Sequence, residues 1–298
     1  MKLSHINYEG KDAIELTTRA LRLVAVHEYG PRIAFLGKPK GENLLLWAPG
    51  KYGRNKWDLG GGHRVWIARP GADECEETYA PDNGVCEVAE HKNGFRLTSA
   101  EDKTNCTRRG MDVKVLDDDM LQMDNFVTNT GDMLFSGSVW ALTCTVPQKG
   151  TLYGVPIGDN SKWDCFNMVF FKWWGGGHTG LYNDPAVTIK NNVIVVDPKG
   201  SENKRMIQAD AGIIAMSDVA RKVTFAKKVK YDPAAKYPLG CNIAFYTGPK
   251  RFMVEMETMG AEVTLKPGET AHNVETWVLK PGAVKMEKGE TLKKLFRG

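Results

Sequence analysis

The 298-residue chain lacks the features that assign many proteins to a class at sight. Its six cysteines (75, 86, 106, 144, 165 and 241) form no C-x-x-C pair, which excludes a zinc knuckle and leaves reduced, mostly buried thiols as the expectation. A Cys75–Cys86 disulfide is the alternative for an exported chain. No apolar run reaches the roughly 18 residues of a membrane helix. The opening MKLSHINYEGKDAIEL has no apolar core of the signal-peptide kind, so a cytoplasmic protein with no membrane partner is expected. Charge of one sign is also missing. With 40 basic and 36 acidic residues interspersed, there is no basic stripe to follow a phosphate backbone, and no nucleic-acid partner is expected. G-x-S-x-G, H-E-x-x-H, Walker and EF-hand patterns are absent, which speaks against serine hydrolase, zincin, ATPase and calcium-sensor chemistry. No metal or cofactor is expected, because His63 and His178 lack close ligand spacing.

Long amphipathic helices are missing too. Short β-branched and aliphatic runs (AIELTT, ALRLVAVHE, PRIAFLG, NLLLWA) are separated by Gly, Pro or charged turns and read as strands. Hairpin turns are expected at Asn93-Gly94, Asp117-Asp118-Asp119 and Asn191-Asn192, and Phe135 to Val146 is long enough to cross a large sheet. The one helical stretch, Glu290 to Phe296, carries Leu292, Leu295 and Phe296 for docking on a sheet face. Strands without alternating helices exclude a doubly wound fold and predict one all-β domain over residues 1–298, a large antiparallel β-sandwich.

Chemistry concentrates in LGGGHRVWIARPGADECEETYAPDN, from Leu59 to Asn83. Gly60, Gly61 and Gly62 give a bare backbone that runs into the alternating His63-Arg64-Val65-Trp66-Ile67. A β-like run follows the glycines where a phosphate loop would open a helix, so a nucleotide site is not indicated. Adjacent residues on a strand leave opposite faces, so His63 and Arg64 share a pocket only if a bulge intervenes. WWGGGH, with Trp173 and His178, echoes the earlier Trp57 and Gly60-Gly61-Gly62-His63. In RFMVEMETMG, Glu255 and Glu257 share one face of a strand, where a buried carboxylate pair favours a raised pKa and acid–base work. Glu275 and Trp277 share a face further on, just after His272. Eight tryptophans beside carboxylates, His and Arg suit a sugar ring, whose C–H face stacks while its hydroxyls hydrogen-bond.

The order of these pieces resembles the galactose mutarotase-like superfamily, which includes the aldose 1-epimerases. Gly30-Pro31-Arg32-Ile33 followed by Glu42-Asn43-Leu44-Leu45 is similar to that family's opening, and GGHRVW and TYAPDN are similar to a branch of unknown function. Phe252-Met253-Val254-Glu255 matches the strand carrying the mutarotase base, followed by Leu265-Lys266-Pro267-Gly268-Glu269 and a Trp277 strand. The resemblance is loose from Lys149 to Tyr237, and the family's His-Pro-Tyr-Phe-Asn and Asn-His-x-His phrases are absent. It implies a β-supersandwich binding a small-molecule carbohydrate. Implied roles are Glu255 (alternatively Glu257) as base, His63 as acid, and Arg64, Arg32, Trp66, Trp57, His178, Trp173 and Glu275 as substrate-binding residues. The implied activity is aldose 1-epimerase-type interconversion of sugar anomers; the alternative is a non-catalytic sugar- or sugar-acid-binding module.

Overall fold

The structure, a computed structural model, describes residues 1–54, 57–68, 83–158, 165–171, 184 and 186–297, without the Arg54 and Trp57 side chains. The period-2 runs form two large antiparallel sheets. The first runs in the order Lys2–Tyr8, Lys11–Thr17, Arg22–Val26, Arg32–Gly37, His63–Ala68, Phe135–Thr145, Val254–Met259, Ile243–Thr247, Asn203–Ile207 and Met168–Phe170, and Val263–Leu265 also pairs with Phe135–Thr145. The second sheet has Val223–Val229, Thr270–Pro281 and Met120–Asn129 side by side at its centre. Every pairing between these strands is antiparallel, as the hairpin signals require. Asn191 and Asn192 do take positive φ (49° and 58°) in the two-residue turn between Lys190 and Val193. This is the mirror-image turn whose twist matches that of the flanking strands.

Alternation decides which side chains face the other sheet. One apolar core draws Val65, Ile67, Val139, Val254 and Met256 from the first sheet and Leu121, Met123, Phe225, Trp277 and Leu279 from the second. Residues in the other phase of the first sheet, Trp66, Trp140, Leu142 and Met259, form a separate cluster on its outer face. The short helix Gly289–Lys294 buries Leu292, with Leu295 behind it, against Val193, Val195, Ala215 and Ala226 on the far face of the second sheet. That is the docking expected of the C-terminal stretch. Among the described residues no helix is long and apolar enough to cross a membrane. Cys86, Cys144 and Cys241 are buried free thiols and Cys106 and Cys165 exposed ones, while Cys75 lies outside the described residues.

The bare backbone of the glycine triplet is a strand end held against its neighbours. Gly60 and Gly61 end the strand Trp57–Gly61, which pairs with Trp47–Arg54, and all three glycines sit at positive φ (55°, 80° and 74°). A Cβ on Gly61 would lie 2.1 Å from the Leu46 carbonyl oxygen, and one on Gly62 2.4 Å from that of Ile33. Close backbone approach and left-handed φ together demand glycine. Gly61→Ala is therefore expected to destabilise the protein by about 2 kcal/mol, measurable as a lower urea midpoint; an unchanged midpoint would show that the strand end yields.

Candidate functional site on the outer face of the first sheet

Register assembles the site in rows. Cys144 pairs with Glu255, Glu255 with Tyr246, and Tyr246 with Lys204, so these four side chains cross the outer face in one line. In the next line Arg64 pairs with Leu142 and Leu142 with Glu257; beyond it Trp66 pairs with Trp140. Alternation along Val254–Met259 puts Glu255 and Glu257 on this face while Val254 and Met256 turn into the core, as the sequence predicts.

The two carboxylates differ in their surroundings. Glu257 is fully buried, accepts from Lys204 Nζ at both carboxylate oxygens (2.6 and 2.7 Å), and accepts another hydrogen bond from the Trp140 indole N–H at 2.9 Å. Burial and the neighbouring Glu255 push its carboxyl above the ordinary value, against the pull of Lys204. Glu255 keeps 11% of its side chain exposed, with the nearest described cation, Arg64 Nη2, at 3.6 Å and Cys144 Sγ at 3.4 Å from Oε1. Burial raises the Cys144 thiol, and Glu255 adds to the shift, so the sulfur stays protonated and donates to the carboxylate. Arg64 lies 4.1 Å over the Trp66 ring and donates to the Leu59 carbonyl at 2.7 Å; Trp66 meets Trp140 edge-on at 5.4 Å, and Lys204 sits 5.0 Å over Trp140. The face thus alternates cations, carboxylates and indoles. Arg32 is also on it, but its guanidinium donates to the Gly61 carbonyl at 2.6 Å and the Asn83 side chain at 2.7 Å, which fixes the glycine strand.

His63 is not part of this arrangement. No bulge interrupts its pairing with Thr143, so it leaves the opposite face from Arg64 and points into the sandwich. There it is fully buried, 2.9 Å from Thr143 Oγ1 and 2.8 Å from Asn125 Oδ1. Burial lowers its pKa to about 4, with nearby Glu275 opposing the shift and Lys227 reinforcing it, so the imidazole is neutral. The expected convergence of His63 with Glu255 as an acid–base pair is corrected: a sheet thickness separates their faces. Glu275 is corrected likewise. It lies inside the sandwich, ion-paired to Lys227 at 2.6 Å and hydrogen-bonded by Trp277 Nε1 and Thr258 Oγ1, remote from the outer face on which Glu255 projects. His178 and Trp173 lie outside the described residues, as does the Trp57 indole.

Sequence reasoning missed Trp140, Cys144, Lys204 and Tyr246 on this face. Trp140 and Cys144 alternate in phase along a strand already identified, so they follow once its pairing with Glu255 is known. Lys204 lies in Asn203–Ile207, where the family pattern is loose, and a lysine alternating with Met206 carries no motif.

Solved structures then decide the fold. A galactose mutarotase-like protein from Lactobacillus casei matches with a TM-score of 0.59 at 10% identity, over 90% of this chain and 100% of its own. A galactose mutarotase-like protein from Clostridium acetobutylicum matches at 0.58 and 11%, over 94% and 98%. The fold is galactose mutarotase-like. A galactose mutarotase related enzyme from Lactobacillus acidophilus, at 0.56 and 12% identity over 92% of this chain and 99% of its own, repeats the match. No family profile and no curated protein matches the sequence. At such identities the galactose mutarotase-like architecture is shared, and the chemistry has to be argued from the outer face itself.

Proposed function

We propose that this chain binds a carbohydrate, neutral or acidic, on the outer face of its first sheet. The observation carrying the reading is the row-by-row assembly of Glu255, Glu257, Arg64, Lys204, Trp66 and Trp140 on one face. Carboxylates accept from sugar hydroxyls, Arg64 donates to a hydroxyl or sugar carboxylate, and the indoles offer apolar surface to the C–H face of a pyranose. Glu255, with its exposed edge, is the carboxylate that meets the ligand; Glu257 is engaged by Lys204 and Trp140 and shapes the floor.

One observation favours a second reading, an aldose 1-epimerase-type isomerase with Glu255 as base: Glu255 is partly exposed and lacks the close lysine contact that Glu257 has. Its cation contact, Arg64 at 3.6 Å, is looser than the Lys204 contact at 2.6 Å that holds Glu257, which leaves Glu255 the better placed of the two to accept a proton. The two readings separate in one experiment. Isothermal titration with D-galactose and D-galacturonate measures binding, and NMR of anomer exchange measures turnover. The binding reading predicts affinity without acceleration, weakened about tenfold by Glu255→Gln, the loss of one charge-assisted hydrogen bond. Wild-type protein that binds neither sugar would overturn it, and accelerated exchange that Glu255→Gln removes would establish the isomerase.

A further inference from the structure

Behind the outer face, inside the sandwich, a closed ring of hydrogen bonds occupies space that apolar side chains fill elsewhere on the same strands. Lys227 Nζ donates to Glu275 at 2.6 Å, to Thr143 Oγ1 at 2.9 Å and to the Met256 carbonyl at 3.0 Å, so all three of its protons have acceptors. Asn125 turns its Nδ2 to Glu275 and the Asn273 carbonyl and its Oδ1 to His63, so Nε2 carries the imidazole proton and the Thr143 hydroxyl donates to the bare Nδ1 at 2.9 Å. The neutral imidazole then donates from Nε2 to Asn125 Oδ1 at 2.8 Å, and Asn125 Nδ2 returns to Glu275 Oε2 at 3.2 Å. The donors around the ring fix the histidine tautomer and the amide orientation. Each step has one direction, so the ring has one arrangement.

Its placement is specific. His63 precedes Arg64; Thr143 sits between Leu142 and Cys144; Met256 sits between Glu255 and Glu257, and Thr258, which donates to Glu275 at 2.6 Å, follows Glu257. Further along the same strands the interior positions Val65, Ile67, Val139 and Val254 are apolar, so the polar ring is confined to the stretch behind Arg64, Leu142, Glu255 and Glu257. A buried ion pair often contributes no more stability than apolar packing of equal volume, so stability alone does not account for one at this place.

We propose that the Lys227–Glu275 pair, with Thr143 and His63, is a positioning device: it holds from behind the two strands that carry Arg64, Glu255 and Glu257, together with Phe135–Thr145 between them, and sets the spacing of those groups. The inference rests on the reading of the outer face as the binding site. Tightly satisfied networks restrict side chains and backbone to one geometry, and binding groups misplaced by about an ångström lose much of their effect. None of the four residues reaches the outer face, so a change there acts through the strands.

The test is Thr143→Val, which keeps the volume but removes the hydroxyl joining Lys227 to His63, alongside Thr143→Ser, which restores it. Two measurements accompany a melting curve: the NMR titration of the Glu255 and Glu257 carboxyls without ligand, and the affinity for D-galactose and D-galacturonate. Thr143→Val is expected to fold, to shift at least one carboxyl titration by about half a pH unit, and to weaken binding about tenfold; Thr143→Ser recovers both. A folded Thr143→Val protein with wild-type carboxyl titrations overturns the proposal. So does a chain that fails to fold in both variants, since the ring is then a determinant of the fold. If the wild-type protein binds neither sugar, the binding reading falls while the ligand-free titration still decides the positioning role.

Discussion

Lys204→Met is expected to reduce the unfolding free energy by about 3–5 kcal/mol at neutral pH. The reason is the carboxylate left behind. Lys204 Nζ lies within 2.7 Å of both Glu257 oxygens, and neither side chain is meaningfully solvated: exposures are 2% and 0%. Removing the ammonium leaves a charge in a low-dielectric face with the Trp140 N–H as its remaining donor among the described residues. Burial and Glu255 already push the Glu257 carboxyl upward, so the variant escapes part of the penalty by taking up a proton. The loss should shrink as pH falls, because a folded-state proton that the unfolded chain lacks is supplied more readily in acid. Replacing both partners, Lys204→Met with Glu257→Gln, should recover most of the loss, since no buried charge then remains. Urea unfolding at pH 7 and pH 5 checks each step. A single variant as stable as the wild type would mean that the pair is hydrated.

This pair shows where sequence reading stops. The strands were legible, because period-2 alternation is set by the core: Glu255 and Glu257 had to share a face once Val254 and Met256 were assigned to the interior. The opposite orientation of His63 and Arg64 was legible for the same reason, and only the expectation of one shared cleft obscured it. The partners were not legible. Lys204 meets Glu257 through the pairing of Asn203–Ile207 with Ile243–Thr247, and of that strand with Val254–Met259, which no local pattern announces. One signal was available for the interior ring. Lys227 occupies the interior phase of Val223, Phe225 and Val229, Asn125 that of Leu121, Met123 and Val127, and Glu275 that of Ala271, Trp277 and Leu279. A lysine, an amide and a carboxylate in three apolar phases require one another as buried partners. That requirement places Glu275 inside the sandwich from the sequence alone.

The second large effect concerns acid stability and belongs to His63. Its folded pKa is lowered from 6.5 to about 4, chiefly by complete burial, with Lys227 contributing and Glu275 opposing. The unfolded chain therefore binds one more proton than the folded protein between those values. Stability from this group is fully present above pH 6.5 and is lost as pH falls toward 4, at about 1.4 kcal/mol per pH unit and about 3 kcal/mol in all. Glu275 changes stability in the same sense but in a lower window: burial would raise its carboxyl, yet Lys227 and His63 together hold it below its ordinary 4.5. Measurements between pH 6.5 and 4.5 thus isolate the imidazole. His63→Gln removes the titration while retaining an amide N–H for Asn125, and the other histidines are common to both proteins and cancel in the difference. Across this interval the wild type should lose about 2–3 kcal/mol more than the variant, read from urea midpoints at half-unit steps. Parallel pH profiles for the two proteins would mean that His63 carries its proton in the folded state, with Nδ1–H donating to Thr143 Oγ1, which would accept from Lys227 as well and turn its own hydrogen away from the ring.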